Sequence, residues 1–370
     1  MKAYIVERDA LIHNIQAIRA FADKVPIWAV LKGNGYGIGL VPFSKLLYEN
    51  GIDRFAVTEL KEAELLRENF PDAPILMMRS TSERAEINEL LDLGVILTVG
   101  CYETAVAING LAAERATMAK VHLAIDTGMG RYGFQPEDYD KIVSVFEYMK
   151  NLTVDGIFTH FHSAFSNEKA TRCQFDQFTL LVNKLRESGY EPGMVHCCNS
   201  HAFVRHPEMH LDAVRVGSAF LGRLSFRTKL DLIRIGYAEC TLEEMRQINK
   251  GQTIGYAAGF KAKRTMRTAV IGLGWYNGFA TRRENDIFRF RDSLGGILHH
   301  LKNLLLPPKF IVSVNGKKCR TLGHVGMVHA VIDVTDLDCA VGDRVVADIN
   351  PLFMKGLRVQ YRDSREGNGR

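Results

Sequence analysis

Pro26-Ile27-Trp28-Ala29-Val30-Leu31-Lys32-Gly33-Asn34-Gly35-Tyr36-Gly37-Ile38-Gly39 joins a strand-length apolar run to a glycine-rich turn, with a lysine at the junction. A lysine at the end of a buried strand is costly to desolvate. Desolvation lowers its pKa toward neutrality, which is what a Schiff-base former or a general base requires. A lone strand-end lysine can also simply return its amine to water along its flexible stem. The four closely spaced glycines favour the chemical reading, because they let backbone approach a ligand closely.

Working outward, seven more apolar runs of strand length follow, at 55–58, 74–78, 95–99, 120–125, 154–159, 194–198 and 213–216. Amphipathic stretches separate them. In 41–47, Pro42 suits a first helical turn, and in 59–70 Leu60, Ala63, Leu65 and Leu66 recur at helical spacing. Eight strand–helix units predict an α/β fold, a closed (β/α)8 TIM-type barrel over residues 1–225. An open doubly wound sheet would be expected to carry G-x-G-x-x-G after its first strand, and this turn does not read so.

Past residue 226 the texture changes to strand-like runs with short turns, at 233–237, 268–272, 310–314, 318–322, 330–334 and 344–347. Asn315-Gly316 is a two-residue hairpin signal. A mostly antiparallel β domain is predicted over 226–370, interrupted by an inserted helical segment near 292–305 that ends before Pro307-Pro308. The polar tail from Asp363 is expected to fray.

Composition narrows the function classes. The chain has 370 residues, of which 46% are hydrophobic and 24% charged, enough for two domains with real cores. The net charge of +5 comes from dispersed Lys and Arg, which speaks against a nucleic-acid surface. Seven cysteines (101, 173, 197, 198, 240, 319 and 339) form an odd set without paired zinc spacing, as free thiols in a reducing compartment would; no metal site is expected. The N-terminus lacks the apolar core of a signal peptide, and no apolar run approaches bilayer-spanning length. A cytoplasmic protein without a membrane partner is expected.

In a barrel of this kind the working face is the carboxyl end of the strands. Polar residues gather there from five strands: Lys32, Arg131, His160, Asn199 with Ser200, and Arg215 with Gly217 and Ser218. Loops after the seventh and eighth strands often hold a phosphate, and Ser200 and the amides around Gly217-Ser218 are suitable donors. An amine at one end and a phosphate cradle at the other suit a phosphorylated aldehyde, with pyridoxal 5'-phosphate the obvious candidate. Arg215, as an arginine facing a pyridine nitrogen, would keep its own proton and leave the ring a weaker electron sink. Such a setting favours removal and return of a proton over transamination or elimination.

These residues carry a resemblance. Ala29-Val30-Leu31-Lys32-Gly33-Asn34-Gly35-Tyr36-Gly37 resembles the cofactor-lysine signature of the alanine racemase family of fold-type III pyridoxal phosphate enzymes, which commonly reads V-K-A-N-A-Y-G-H-G. The similarity continues through 55–57, 126–133, 159–161, Asn199-Ser200, 214–217, 274–278 and 323–327. The resemblance implies that Lys32 forms the imine with the cofactor and acts as one of two bases. It implies that Tyr36, Ser200, Gly217, Ser218 and Tyr361 hold the phosphate, and that Arg131 and Met327 bind the substrate. Arg215 would face the pyridine nitrogen, with His160 supporting the ring and Arg215. The implied partner is a small amino acid, interconverted between L and D forms. A homodimer with shared active sites is implied too.

The chain departs from the pattern in the second domain. The family's second base is the tyrosine of G-Y-A-D-G, and here the segment is Gly274-Trp275-Tyr276-Asn277-Gly278. An indole N–H donates only and cannot take a proton. Tyr276, a histidine or a bound water would then have to be the second base, and if the segment is a strand, Tyr276 points away from the face of Trp275 unless a bulge shifts the register. Ile38 replaces a histidine, Ala124 a lysine that is often carbamylated, and Val328 an acidic residue. His162 stands beside His160 as an extra polarisable group. Two alternatives remain at this stage: a one-base enzyme performing α-proton exchange, transamination or another imine reaction, and a non-catalytic cofactor-binding regulator.

Overall fold

In the computed structural model, which describes residues 2–226, 228–281 and 311–363, the chain divides into two units. One comprises residues 9–235, the other residues 1–8 with 236–370. The chain opens with β1 (Ala3–Glu7), part of the second unit, and α1 (Arg8–Ala22) leads into the first. The strands of the first unit are β2 (Ile27–Val30), β3 (Arg54–Val57), β4 (Ile75–Ser80), β5 (Ile96–Val99), β6 (Ala119–Ile125), β7 (Leu152–Thr159), β8 (Met194–His196) and β9 (Val214–Val216). Helices α2 (Leu40–Glu49), α3 (Leu60–Asn69), α4 (Arg84–Asp92), α5 (Tyr102–Glu114), α6 (Tyr139–Tyr148), α7 (Glu168–Glu187) and α8 (Ser200–Arg205) alternate with them.

All neighbouring strands in this sheet run parallel, in the order β8-β7-β6-β5-β4-β3-β2-β9. A parallel bridge between His196 and Ala213 brings the two ends together. The predicted (β/α)8 barrel is therefore present, with each of the eight apolar runs contributing one strand. The runs are apolar throughout, rather than alternating, because barrel strands are buried on both faces. The interior is filled: Trp28, Val30, Ala56, Leu76, Ile96 and Ala213 form one buried cluster, with Met78 and Met194 packed against it. The working end is thus a shallow mouth above a packed core, and side chains at the carboxyl ends of the strands define it.

The second unit is built from β10 (Tyr237–Ile248), β11 (Thr253–Ile254), β12 (Phe260–Lys261), β13 (Met266–Ile271), β14 (Ile311–Val314), β15 (Lys317–Leu322), β16 (Ala330–Asp333), β17 (Arg344–Ala347) and β18 (Arg358–Arg362). Its main sheet runs β13-β16-β15-β14-β17-β10-β1-β18, and β13 also pairs with β10, so six strands close into a ring. Pairing is antiparallel except between β1 and β18. Asn315 and Gly316, with φ of 47° and 81°, turn β14 into β15, as two-residue hairpins with both φ positive do.

Three features differ from expectation. Residues 3–7 pair in the second unit, between β10 and β18, not in the barrel. The boundary falls at 235/236 rather than at 225/226. The run 233–237 does not form a strand of its own; β10 begins at Tyr237 and extends twelve residues. The helical segment expected near 292–305 lies outside the described residues. No described helix is long and apolar enough to cross a membrane.

Candidate active site at the barrel mouth

Lys32 follows β2 and opens a left-handed turn. Gly33, Asn34, Gly35 and Tyr36 have φ of 65°, 54°, 62° and 55°. Left-handed helix costs an L residue about 1–2 kcal/mol, and glycine at 33 and 35 removes that cost from two of the four positions. At 35 a side chain would also come within 3.3 Å of the Leu40 backbone. Asn34 tolerates the conformation and uses it, since its Oδ1 accepts the Leu40 N–H at 2.9 Å. The Lys32 side chain reaches solvent at the mouth. Its amine is nonetheless held below the usual lysine range, first by desolvation from the surrounding walls and then by the Arg131 guanidinium, with Glu62 opposing both. Such an amine is neutral at a lower pH than a free lysine.

The residues expected to hold a phosphate gather around the same turn. Ser200 Oγ accepts the Gly217 N–H at 2.9 Å and the Ala219 N–H at 3.4 Å. The Tyr36 hydroxyl lies so close to Gly217 that a Cβ there would sit 2.1 Å from it. Burial, and next the Glu62 charge, push that hydroxyl's pKa up, while a hydrogen bond from the Ser218 backbone works the other way. Asn199 caps α8: its Oδ1 accepts from His201 and Ala202 at 3.0 and 3.1 Å, and its Nδ2 donates to the Phe161 carbonyl at 3.2 Å. Its side chain is committed to backbone, so it presents Ser200 rather than a ligand.

Arg215, at the centre of β9, is 2% exposed. Its Nη2 donates to the carbonyls of Thr159 at 2.7 Å and Cys197 at 3.2 Å. Its Nη1 reaches the His196 carbonyl at 3.2 Å and His196 Nδ1 at 2.5 Å, and the guanidinium lies over the Phe158 ring. Burial lowers its pKa to about 10, so it remains a cation at neutral pH. Nε, buried, has no partner. The chain of bonds continues, because His196 Nε2 meets His122 Nδ1 at 2.9 Å. Desolvation, then Arg215, pushes His122 down to about 3 and His196 well below its usual value. Both imidazoles are neutral, and the arginine fixes their tautomers: His196 accepts at Nδ1 and donates from Nε2. Sequence reasoning had missed this pair. Its one signal was a histidine inside each of two strands buried on both faces.

The imidazole bonded to Arg215 is thus that of His196 and not that of His160. His160 directly follows β7, and its Nδ1 is buried without a partner among the described residues. Desolvation brings its pKa down to about 3, with Arg215, Arg131 and Lys32 adding to the shift in that order. It offers a neutral ring among three cations.

Arg131 rides on the loop after β6. Asp126 accepts the Gly128 N–H at Oδ1 and the Gly130 N–H at Oδ2, both at 2.9 Å. Phe134 returns the chain to the strand by pairing with Ala124 and Asp126. Gly133 (φ 125°) is required, since a Cβ would lie 2.5 Å from the Asp126 nitrogen. Arg131, Met129, Tyr132 and His160 line a small cavity with Ala124 at its side. Because Arg131 helps to depress the Lys32 amine, Arg131→Gln is expected to let that pKa rise. A rate that needs the neutral amine then climbs at higher pH than in the unaltered chain. The pH profile of kcat/KM measures this, and an unmoved limb would refute the coupling.

In the second unit, Trp275–Asn277 forms one turn of 3-10 helix and not a strand. Consecutive side chains therefore diverge by roughly 120°, and the opposite-face argument against Tyr276 lapses. Gly274 is wedged where a Cβ would meet the Gly326 and Met327 carbonyls at 2.3 Å. Trp275 and Tyr276 donate their amides to those carbonyls at 3.1 and 2.9 Å. Trp275, Tyr276 and Met327 are 51%, 39% and 52% exposed, and Tyr256, exposed too, lies beside Gly326. Tyr361 stands on β18 opposite Val6, its hydroxyl pKa raised by burial.

Comparison with known proteins finds relatives over nearly the whole chain. The family model described as alanine racemase, N-terminal domain, matches residues 6–225, and that described as alanine racemase, C-terminal domain, matches 235–351. The chain is 33% identical over 349 residues to the alanine racemase of Clostridium tetani, covering 92% of this chain and 84% of that protein. It is 30% identical over 348 residues to that of Methanococcus maripaludis, covering 92% and 87%. Among solved structures, an alanine racemase of Clostridium difficile superposes with a TM-score of 0.84 at 25% identity, over 98% of this chain and 96% of that one.

Proposed function

The chain belongs to the alanine racemase family, and from that premise we propose that it is a racemase that uses pyridoxal 5'-phosphate to interconvert the L and D forms of alanine or another small amino acid. The observation that carries the reading is the match between the mouth and that cofactor. A depressed amine stands at Lys32, a donor cradle lies at Tyr36, Ser200, Gly217 and Ser218, and a buried, unpartnered Arg215 Nε is available to a ring nitrogen. Because Gly217 has no side chain, the Tyr36 hydroxyl can close on the cradle.

Lys32 would hold the cofactor covalently, Tyr36, Ser200 and the amides of Gly217 and Ser218 would take its phosphate, and Arg215 would face its pyridine nitrogen. Bound there, the cofactor supplies an electron sink for the charge left when the substrate's α-proton departs. Arg131 would orient the substrate carboxylate, and Lys32 Nζ would accept the proton on one face when neutral and return it when protonated. His160 and the His196–His122 pair are all uncharged, so among the described residues Arg215 would be the one fully buried cation facing the ring. Arg215, which keeps its own proton, would leave the ring a weaker electron sink and so favour return of the proton.

Racemisation needs a proton acceptor on the second face as well. Trp275 occupies the position of the family's tyrosine, and we assign the role to Tyr276, its neighbour on the exposed 3-10 turn. Exposure of Trp275, Tyr276, Met327 and Tyr256 on the second unit supports a homodimer in which this patch completes a neighbouring subunit's site, with Tyr361 adding to the phosphate end. Cysteines without disulfides fit action in the cytoplasm.

Borohydride reduction followed by peptide mapping should place the pyridoxyl adduct on Lys32, and an adduct elsewhere would overturn the assignment. Incubating single enantiomers in heavy water separates the steps: exchange with loss of optical rotation supports two bases, and exchange with retained configuration leaves Lys32 alone. Tyr276→Phe should cut racemisation by about 10²–10⁴-fold while sparing exchange on the Lys32 face. Equal rates for Tyr276→Phe and the unaltered chain would remove the tyrosine from the mechanism.

A further inference from the structure

We propose that Glu62 is a positioning residue for Lys32, its carboxylate fastening the left-handed turn that carries the lysine to the carboxyl end of β3. The inference rests on the reading of Lys32 as the cofactor lysine and base. Glu62 lies in the first turn of α3, on the face where Ala63 and Leu66 are buried, and is itself only 7% exposed. A carboxylate on that face is expensive unless it is hydrogen-bonded. Its two oxygens divide the work: Oε1 accepts the Asn34 N–H at 3.1 Å, inside the turn, and Oε2 accepts the Thr58 N–H at 3.2 Å, just past β3.

The turn needs such a tie. Five consecutive residues, 33–37, have positive φ, and two of them, Asn34 and Tyr36, are not glycine. Asn34 is secured at both ends, by its amide on Glu62 and by its side chain on Leu40. Lys32 precedes this turn and Tyr36 closes it, so one carboxylate governs the spacing between the amine and the cradle. Its charge acts on both ends in the same sense, raising the pKa of the Lys32 amine and of the Tyr36 hydroxyl. The other charged or titratable groups acting on Lys32 oppose it or stay neutral: Arg131 from the loop after β6 lowers the amine, and His160 just after β7 is held uncharged. Glu62 therefore limits how far the amine falls, keeping it basic enough to receive a proton.

Glu62→Gln tests this with little change of shape. In the full chain stripped of cofactor, the pH dependence of Lys32 acetylation by acetic anhydride, read by mass spectrometry, reports the amine directly. The midpoint is expected to move to lower pH, and in the reloaded enzyme kcat/KM should fall about tenfold. Glu62→Asp, which keeps the charge, should restore the midpoint and only part of the rate. A purely structural role would leave the midpoint unmoved in Glu62→Gln, and that result overturns the proposal. Should Glu62→Gln fail to fold, Glu62→Asp decides, because full activity there would show that the carboxylate's placement on the two amides is immaterial. The acetylation readout needs no catalysis, so it remains decisive even if borohydride mapping fails to find Lys32.

Discussion

Lys32→Ala should abolish racemisation and covalent cofactor retention while leaving the protein folded. Loss of a general base alone costs about 10²–10⁴-fold in rate, and loss of the imine-forming amine adds to it. The fold should not notice, because the Lys32 side chain reaches solvent beyond the end of β2 and packs no core. Substitutions of that kind stay within about 0.5 kcal/mol. The measurement is a pair: thermal unfolding, expected unchanged, and the visible absorbance of the reconstituted protein, expected to lose its imine band. An imine band persisting in Lys32→Ala would mean that another lysine holds the cofactor.

Gly217→Ala is the second large effect, and it acts through space rather than chemistry. The added methyl would fall 2.1 Å from the Tyr36 hydroxyl and 2.8 Å from its Cζ. The tyrosine cannot simply retreat, since its backbone is committed to the left-handed turn and its hydroxyl is buried. Either the turn moves, taking Lys32 with it, or Gly217 withdraws its amide from Ser200. Both spoil the cradle, and a cofactor Kd weakened by about 10²-fold, some 2.7 kcal/mol, is expected from lost or misdirected phosphate donors. Equilibrium dialysis of the cofactor measures it. A Kd unchanged within twofold would show that phosphate is not held here.

Much of this was legible in the chain, for identifiable reasons. Strands buried on both faces read as apolar runs, so all eight barrel strands stood out, and a lysine closing the first of them was conspicuous. Arg131, Ser200 and Arg215 were legible because each follows or interrupts such a run. Glycines at 33, 35, 37 and 39 announced positive φ, though not that Asn34 and Tyr36 would share it. What stayed hidden was hidden by distance or by pattern. His122 and His196 are 74 residues apart and meet only because β6 and β8 flank β7 in the barrel. Glu62 sits among Lys61, Glu64 and Glu68 in a sequence that reads as a solvated helix face, and only the fold turns it inward. Trp275 and Tyr276 looked like strand residues because the run 268–272 leads directly into them, whereas Gly274 breaks the strand and starts a 3-10 turn.

The placement of β1 has a consequence for biosynthesis. Its residues are translated before the barrel, yet their parallel partner at 358–362 is made about 350 residues later. At 5–20 residues per second the nascent strand waits roughly 20–70 s, with its antiparallel neighbour β10 available only part-way through. The barrel can mature meanwhile, but the second sheet cannot be completed until residues 358–362 have been translated. Cargo fused ahead of residue 3 would therefore burden the last step of assembly rather than the first.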